Sequence, residues 1–116
     1  MENVKIRQRI ERNIVRKIVG NALRAGYRLN IHNGGDGMEL PGPTDSMDLL
    51  MRELFATDEE HLIVYENGQR IGFIFMIYGN GNMGLDVVSD YADKPKIRAI
   101  VEPVMDSIRR LEQGPV

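Results

Sequence analysis

Two glycine-rich loops, a group of aspartates and two histidines are the residues of this 116-residue chain whose types and spacing could do chemistry. Asn33-Gly34-Gly35-Asp36-Gly37 and Gly79-Asn80-Gly81-Asn82-Met83-Gly84 could cradle a phosphate or a nucleotide, because glycine lets backbone N–H groups approach an anion closely. In that reading Asn33, Gly34, Gly35, Asp36, Gly37, Asn80 and Asn82 form the cradle, and Arg24 or Arg28 counters the phosphate charge. Neither loop has the P-loop pattern. The second matches GxGxxG letter for letter, but a dinucleotide site needs a helix directly after that motif, inside a βαβ unit. Here a strand is expected to follow. Ordinary β-turns are the simpler use of both loops.

Asp86, Asp90 and Asp93, with Asp36 nearby, could gather oxygen ligands for magnesium. A strand over 85–89 would place Asp86 and Asp90 on one side by the two-residue period. Such a pair would suit a metal-dependent phosphodiester hydrolase. No Glu or His joins them at tight spacing, so turn and capping roles for Asp90 and Asp93 compete strongly. His32 and His61 have no Ser or Cys placed to form a nucleophile pair, and His32 alternates onto the polar side of its strand. The chain has no cysteine, which excludes disulfides, Cys-based zinc sites and thiol catalysis. Nothing in these spacings requires a cofactor. The residues point to binding rather than to a reaction.

Charge is divided unevenly. The first 28 residues carry eight Lys/Arg against two acids, and the other 88 carry seven against fifteen. A basic segment on an acidic body can complement its own chain or take an anionic partner. Nucleic acid is one such partner, since arginines neutralise phosphates and release counterions. A pI near 5.7 and the lack of aromatic–basic interleaving disfavour it. Membrane-surface binding is weaker, because the apolar face of this segment holds no Trp or Phe anchor. Self-association is a further option: Ile6, Ile10, Ile14 and Ile18 make a narrow seam that could pair with a second copy. The chain has no apolar run long enough to span a bilayer and no signal-peptide h-region, so a cytoplasmic location is expected.

The elements that must position these residues follow from periodicity. Ile6 to Leu23 repeats at steps of three and four, which predicts a helix over 4–25 ended by Gly26. Tyr27 to Asn33 alternates as a half-buried strand. Thr44 or Asp45 is expected to cap a second helix through about Ala56, with Met47, Leu50, Met51, Leu54 and Phe55 inward. Strands over 62–65 and 71–78 flank Asn67-Gly68, a type I′ hairpin signal. Residues 71–77 are apolar on both faces, which calls for cover on both sides or a partner on one. A short strand and a last helix from about Asp93 to Arg110 complete the order α-β-α-β-β-β-α. That order predicts an α+β fold: an antiparallel sheet of about four strands with helices packed mainly on one face. One domain over 1–113 is expected, with 114–116 fraying.

The blocks Ala25-Gly26-Tyr27-Arg28-Leu29, Thr57-Asp58-Glu59-Glu60, Tyr78-Gly79-Asn80 and Asp86-Val87-Val88-Ser89-Asp90-Tyr91 resemble small uncharacterised proteins of tailed phages and prophages, which read AGY … TDE … YGN … DVISDY. The likeness covers nearly the whole chain. The turn after the first strand is expanded here to Asn33 through Glu39, and Asn82-Met83-Gly84-Leu85 stands where the family carries a tryptophan. The resemblance implies a phage accessory gene and a similar fold, working in the cytoplasm of the infected bacterial host, and carries no activity with it. The expected function is a non-enzymatic binding protein that antagonises host defence. It would either block a host protein or sequester a nucleotide signal.

Overall fold

The computed structural model describes residues 4–35, 37–79 and 84–113. Among them, three helices and four strands run in the order α1 (Val4–Arg24), β1 (Arg28–His32), α2 (Met47–Glu53), β2 (Glu59–Glu66), β3 (Gln69–Ile77), β4 (Val88–Tyr91) and α3 (Pro95–Gln113). The strands make one sheet, β1-β2-β3-β4, with every neighbouring pair antiparallel. This is the α+β order expected from the periodicity.

The helical stripes explain why all three helices choose the same face. Ile14, Val15, Ile18, Val19 and Ala22 of α1 are buried, as are Leu50 and Met51 of α2 and Ile97, Ile100, Val101, Val104 and Ile108 of α3. They form one core with Leu29, Ile31, Leu62, Val64, Ile74 and Met76 of the sheet. Full burial of a side chain of this size contributes roughly 1.5–3 kcal/mol relative to exposure. The isoleucine seam of α1 is therefore not a free surface: Ile14 and Ile18 belong to this core, and only Ile6 stays well exposed, at 45%.

Turns close as their chemistry predicts. Gly26 takes φ 91°, its N–H donates to Leu23 O, and Tyr27 N–H donates to Ala22 O, which ends α1 in a left-handed cap. Asn67 and Gly68 have φ 52° and 79°, the pair of positive values that a type I′ hairpin needs. Two boundaries differ from expectation. Ser46 caps α2, accepting from Leu49 N–H at 3.1 Å, because Thr44 is engaged in a bridge to Leu29. And α2 stops at Glu53 rather than Ala56, because Phe55 turns to φ 71°.

The chain after β1 folds back along that strand's outer edge. Glu39 N–H donates to Ile31 O, and Leu29 and Thr44 exchange both backbone bonds. Asn30, buried at 2% exposure, holds Leu40 at both ends: Nδ2 donates to Leu40 O and Oδ1 accepts from Leu40 N–H. An edge occupied in this way is closed to a further strand. The sheet face away from the helices is different. There Phe73, Phe75 and Ile77 remain half-buried, so the second apolar side of β3 has no covering element among the described residues.

Candidate functional site

Packing α1 by its apolar stripe turns Lys5, Arg9, Arg12 and Arg16 outward on successive turns of the helix. With Gln8, Asn13 and Met51 of α2 they line a groove of about 490 Å³. No carboxylate lines it among the described residues, and there Lys5, Arg9 and Arg16 form no ion pair. Like charges held this close raise the local concentration of anions. Guanidinium forks also match phosphate geometry better than a point charge does.

Arg12 is the positioned member of the row. Its guanidinium carbon lies 4.6 Å from the centroid of the Phe55 ring, and Nη2 makes a long 3.5 Å bond to Met51 O. Phe55 is itself held in an uncommon state. A bulky side chain at positive φ costs on the order of 1–3 kcal/mol. The Glu60 carboxylate offsets that cost by accepting Phe55 N–H at 2.7 Å and Ala56 N–H at 3.1 Å. Tyr78 OH donates to the same carboxylate at 2.7 Å, and its ring packs on Phe55 with centroids 4.7 Å apart. Glu60 is fully buried. Burial first, and then the bond to Glu60 and its charge, push the Tyr78 hydroxyl far above its ordinary range. Tyr78 is therefore a permanent donor rather than a proton shuttle.

A second recess of about 310 Å³ adjoins the groove, sharing Gln8 and Arg12 and adding Arg7, Glu11, Phe55, Asp58, Tyr78 and Gly79. Glu11, at 2% exposure, accepts Gly79 N–H at 2.8 Å and lies 3.9 Å from Arg7 Nε. A Cβ on Gly84 would come within 2.9 Å of both Arg7 O and Glu11 Cγ. Gly79 is thus bonded to α1, and Gly84 packs closely against it. The two buried carboxylates are occupied in holding backbone, which suits a rigid binding surface better than acid–base work.

The expected constellation is not assembled as such. Arg24 donates to Asn21 Oδ1 at the end of α1, and Arg28 lines a recess with Gly26, Pro43, Tyr65, Asn67 and Gly68 at the hairpin end of the sheet. Asn33 and Gly34 lie at the other end of β1, in a recess of about 320 Å³ with His32, Thr57, Glu59, His61 and Phe75. At about 3.3 Å per residue, the strand holds Arg28 and Asn33 roughly 16 Å apart. Gly35 and Gly37 continue the first loop, on the exposed surface. Gly79 follows β3 at the same end of the sheet but faces Arg7 of α1. Asp36, Asn80 and Asn82 lie outside the described residues.

The aspartate pair is corrected. β4 starts at Val88, so Asp86 sits in the turn before it while Asp90 is on the strand, and the shared strand face does not form. Asp90 Oδ1 accepts its neighbour Tyr91 N–H, and Asp93 pairs with Arg98 at 3.2 Å. Among the described residues no three His, Asp or Glu side chains are placed to hold a metal.

Several important residues escaped the reading by motif. Glu60 shares the inward parity of Leu62 and Val64 on β2, and Glu11 shares the helical stripe of Ile14, Val15 and Ile18. A carboxylate at an inward position is a signal that sequence alone carries. The pairing of His32 with His61 across β1 and β2 has no such signal, because it depends on inter-strand register. Compared with protein-family models, curated proteins and solved structures, the chain finds no match.

Proposed function

We propose that this chain is a non-enzymatic phage accessory protein that antagonises host defence by sequestering a phosphate-bearing, nucleotide-type ligand in the α1 groove. The observation that carries the reading is the row Lys5, Arg9 and Arg16, which form no ion pair among the described residues, with Arg12 pre-set between them by Phe55 and Met51. A volume of about 490 Å³ lies within the ordinary range of small-molecule sites. It favours a nucleotide over a duplex. The phage origin and the host target rest on the resemblance of the sequence blocks. The binding residues move from the glycine loops to α1, because the arginines that would have served those loops stand at the far end of the sheet.

Calorimetric titration with mononucleotides, cyclic dinucleotides and a short duplex tests this. A mononucleotide or cyclic dinucleotide is expected to bind and the duplex to bind more weakly. Arg12→Ala should lower affinity about ten- to a hundredfold, the worth of one charge-assisted phosphate contact of roughly 1.5–3 kcal/mol. Absence of heat across the whole panel at concentrations of about 100 μM, a weak-binding threshold, rejects the reading.

A further inference from the structure

The sheet face away from the helices is organised in four rows that cross the strands. The first is Arg28, Tyr65 and Arg70; the second is Asn30, Ile63 and Phe73. The third is His32, His61, Phe75 and Asp90, and the fourth is Glu59 and Ile77. Ile63 is 2% exposed yet stands apart from the core under the helices, so the face has a small apolar cluster of its own. His61 contributes to it by stacking on Phe75 at 4.4 Å and tilting against Phe73 at 5.9 Å. The face is thus cationic at the hairpin end, aromatic in the middle and anionic at the other end. Among the described residues Arg28, Arg70 and Glu59 form no ion pair.

We propose that this face is the interface of a two-fold dimer of the chain, with the axis lying in the interface and running across the strands. That axis reverses the row order in the second copy, so the first row meets the fourth and the second meets the third. Glu59 of one copy then sits over Tyr65 of the other, between Arg28 and Arg70. Phe73 and Ile63 meet Phe75 and His61. An axis along the strands would set arginine rows against each other, and the charge arrangement excludes it. The face carries at the right spacing the complement of its own charges, which is what an isologous contact requires. Two sheets stacked in this way lie about 10 Å apart, as in an aligned sandwich. Four rows two residues, or about 6.6 Å, apart and four strands at about 4.8 Å give on the order of 500 Å² of footprint per copy. That is roughly 1,000 Å² in total, the lower bound for a specific interface, so the dimer belongs to the weak, transient class.

Sedimentation velocity of the full chain from about 1 to 500 μM, a range that brackets micromolar association, tests the dimer. The wild-type protein should pass from monomer to dimer. Glu59→Arg alone, and Arg28→Glu with Arg70→Glu, should each weaken association by about tenfold or more, the scale of a close interfacial charge contact. The triple variant restores the pairing in reverse and should return to wild-type association. A second test uses the lack of native cysteine. Glu59→Cys with Tyr65→Cys places thiols six residues apart on one strand, about 20 Å, too far for a bridge within one chain. A short bifunctional thiol reagent, able to span the gap of about 10 Å between stacked sheets but not the distance within one chain, should therefore give a covalent dimer, and neither single cysteine variant should. A protein that stays monomeric at the top of the range overturns the proposal. So does a Glu59→Arg variant with unchanged association, or cross-linking of the single variants as readily as the double one.

Discussion

Replacing Glu60 by alanine removes the one acceptor that serves Phe55 N–H, Ala56 N–H and Tyr78 OH. Each bond to a charged acceptor is worth about 1.5–3 kcal/mol, and an orphaned buried donor loses about 1–3 kcal/mol. Ala56 is exposed, so water can replace its bond at little cost. Phe55 N–H and Tyr78 OH are only part-exposed and keep most of the penalty. The sum comes to about 3–4 kcal/mol, a large part of the roughly 5–15 kcal/mol that holds a domain together. Urea unfolding followed by far-UV circular dichroism reads it, since the chain has no tryptophan. With a slope of about 1.5 kcal/mol per molar, the midpoint should fall by about 2 M. Glu60→Gln is the finer probe. Its oxygen can replace Oε1, which serves Phe55 and Tyr78, but its amide group meets Ala56 N–H donor to donor. That variant should lose about half as much. A Glu60→Ala protein within about 0.5 kcal/mol of wild type, the usual size of a surface substitution, would refute the reasoning that this carboxylate holds the Phe55 turn and, through it, Arg12.

Two further outcomes follow from the packing and the charges. Gly72→Ala would place a methyl 2.5 and 2.7 Å from Cγ1 and Cδ1 of Ile97, which is fully buried and cannot swing aside. Overpacking of this kind costs about 1–3 kcal/mol, so thermal unfolding should fall accordingly; an unchanged midpoint would mean that α3 sits less tightly on β3. His61 is held below its ordinary value of 6.5 by burial first, then by the charges of His32 and Arg70, with Glu59 opposing. The unfolded chain therefore takes up the proton at higher pH than the folded one, and stability drops as pH falls below about 6.5 through the lowered His61 value. His61→Gln should flatten that acid-side slope in a series of unfolding measurements; identical slopes in the two proteins would show that His61 does not carry it.

The fold was legible because its information is local. The stripe of α1, the Asn67-Gly68 turn and the double-sided apolar run of β3 each specify an element without knowledge of the others. The end of α2 was not legible. Phe55 continues the apolar spacing of Met47, Leu50, Met51 and Leu54, and only the buried Glu60 carboxylate makes the left-handed turn there affordable. The same limit governs the site. Glycines and arginines were grouped by chemistry, but the length of β1 separates Arg28 from Asn33. The basic character of α1 was plain in the charge count. Which of its residues is pre-set depended on the ring of a residue in the α2–β2 turn.

The two proposed surfaces lie on opposite sides of one sheet, and that separation makes them independently testable. The groove is built on α1 with Met51 of α2, on the helix side, while the four rows lie on the face that no helix covers among the described residues. A Glu59→Arg protein should therefore lose association and keep ligand heat, and an Arg12→Ala protein should do the reverse. Stacking by the open faces would turn two grooves outward, away from each other, so a soluble small ligand would bind both without avidity. A polyanion displaying repeated phosphates would not behave so: one strand could not reach both grooves around the sandwich, and its binding would stay at one groove per strand. A stoichiometry of one small ligand per chain, unchanged between monomer and dimer, is the pattern that this geometry demands. Tightening of ligand binding on dimerisation would place the ligand across the interface instead, and would sink the assignment of the groove to α1.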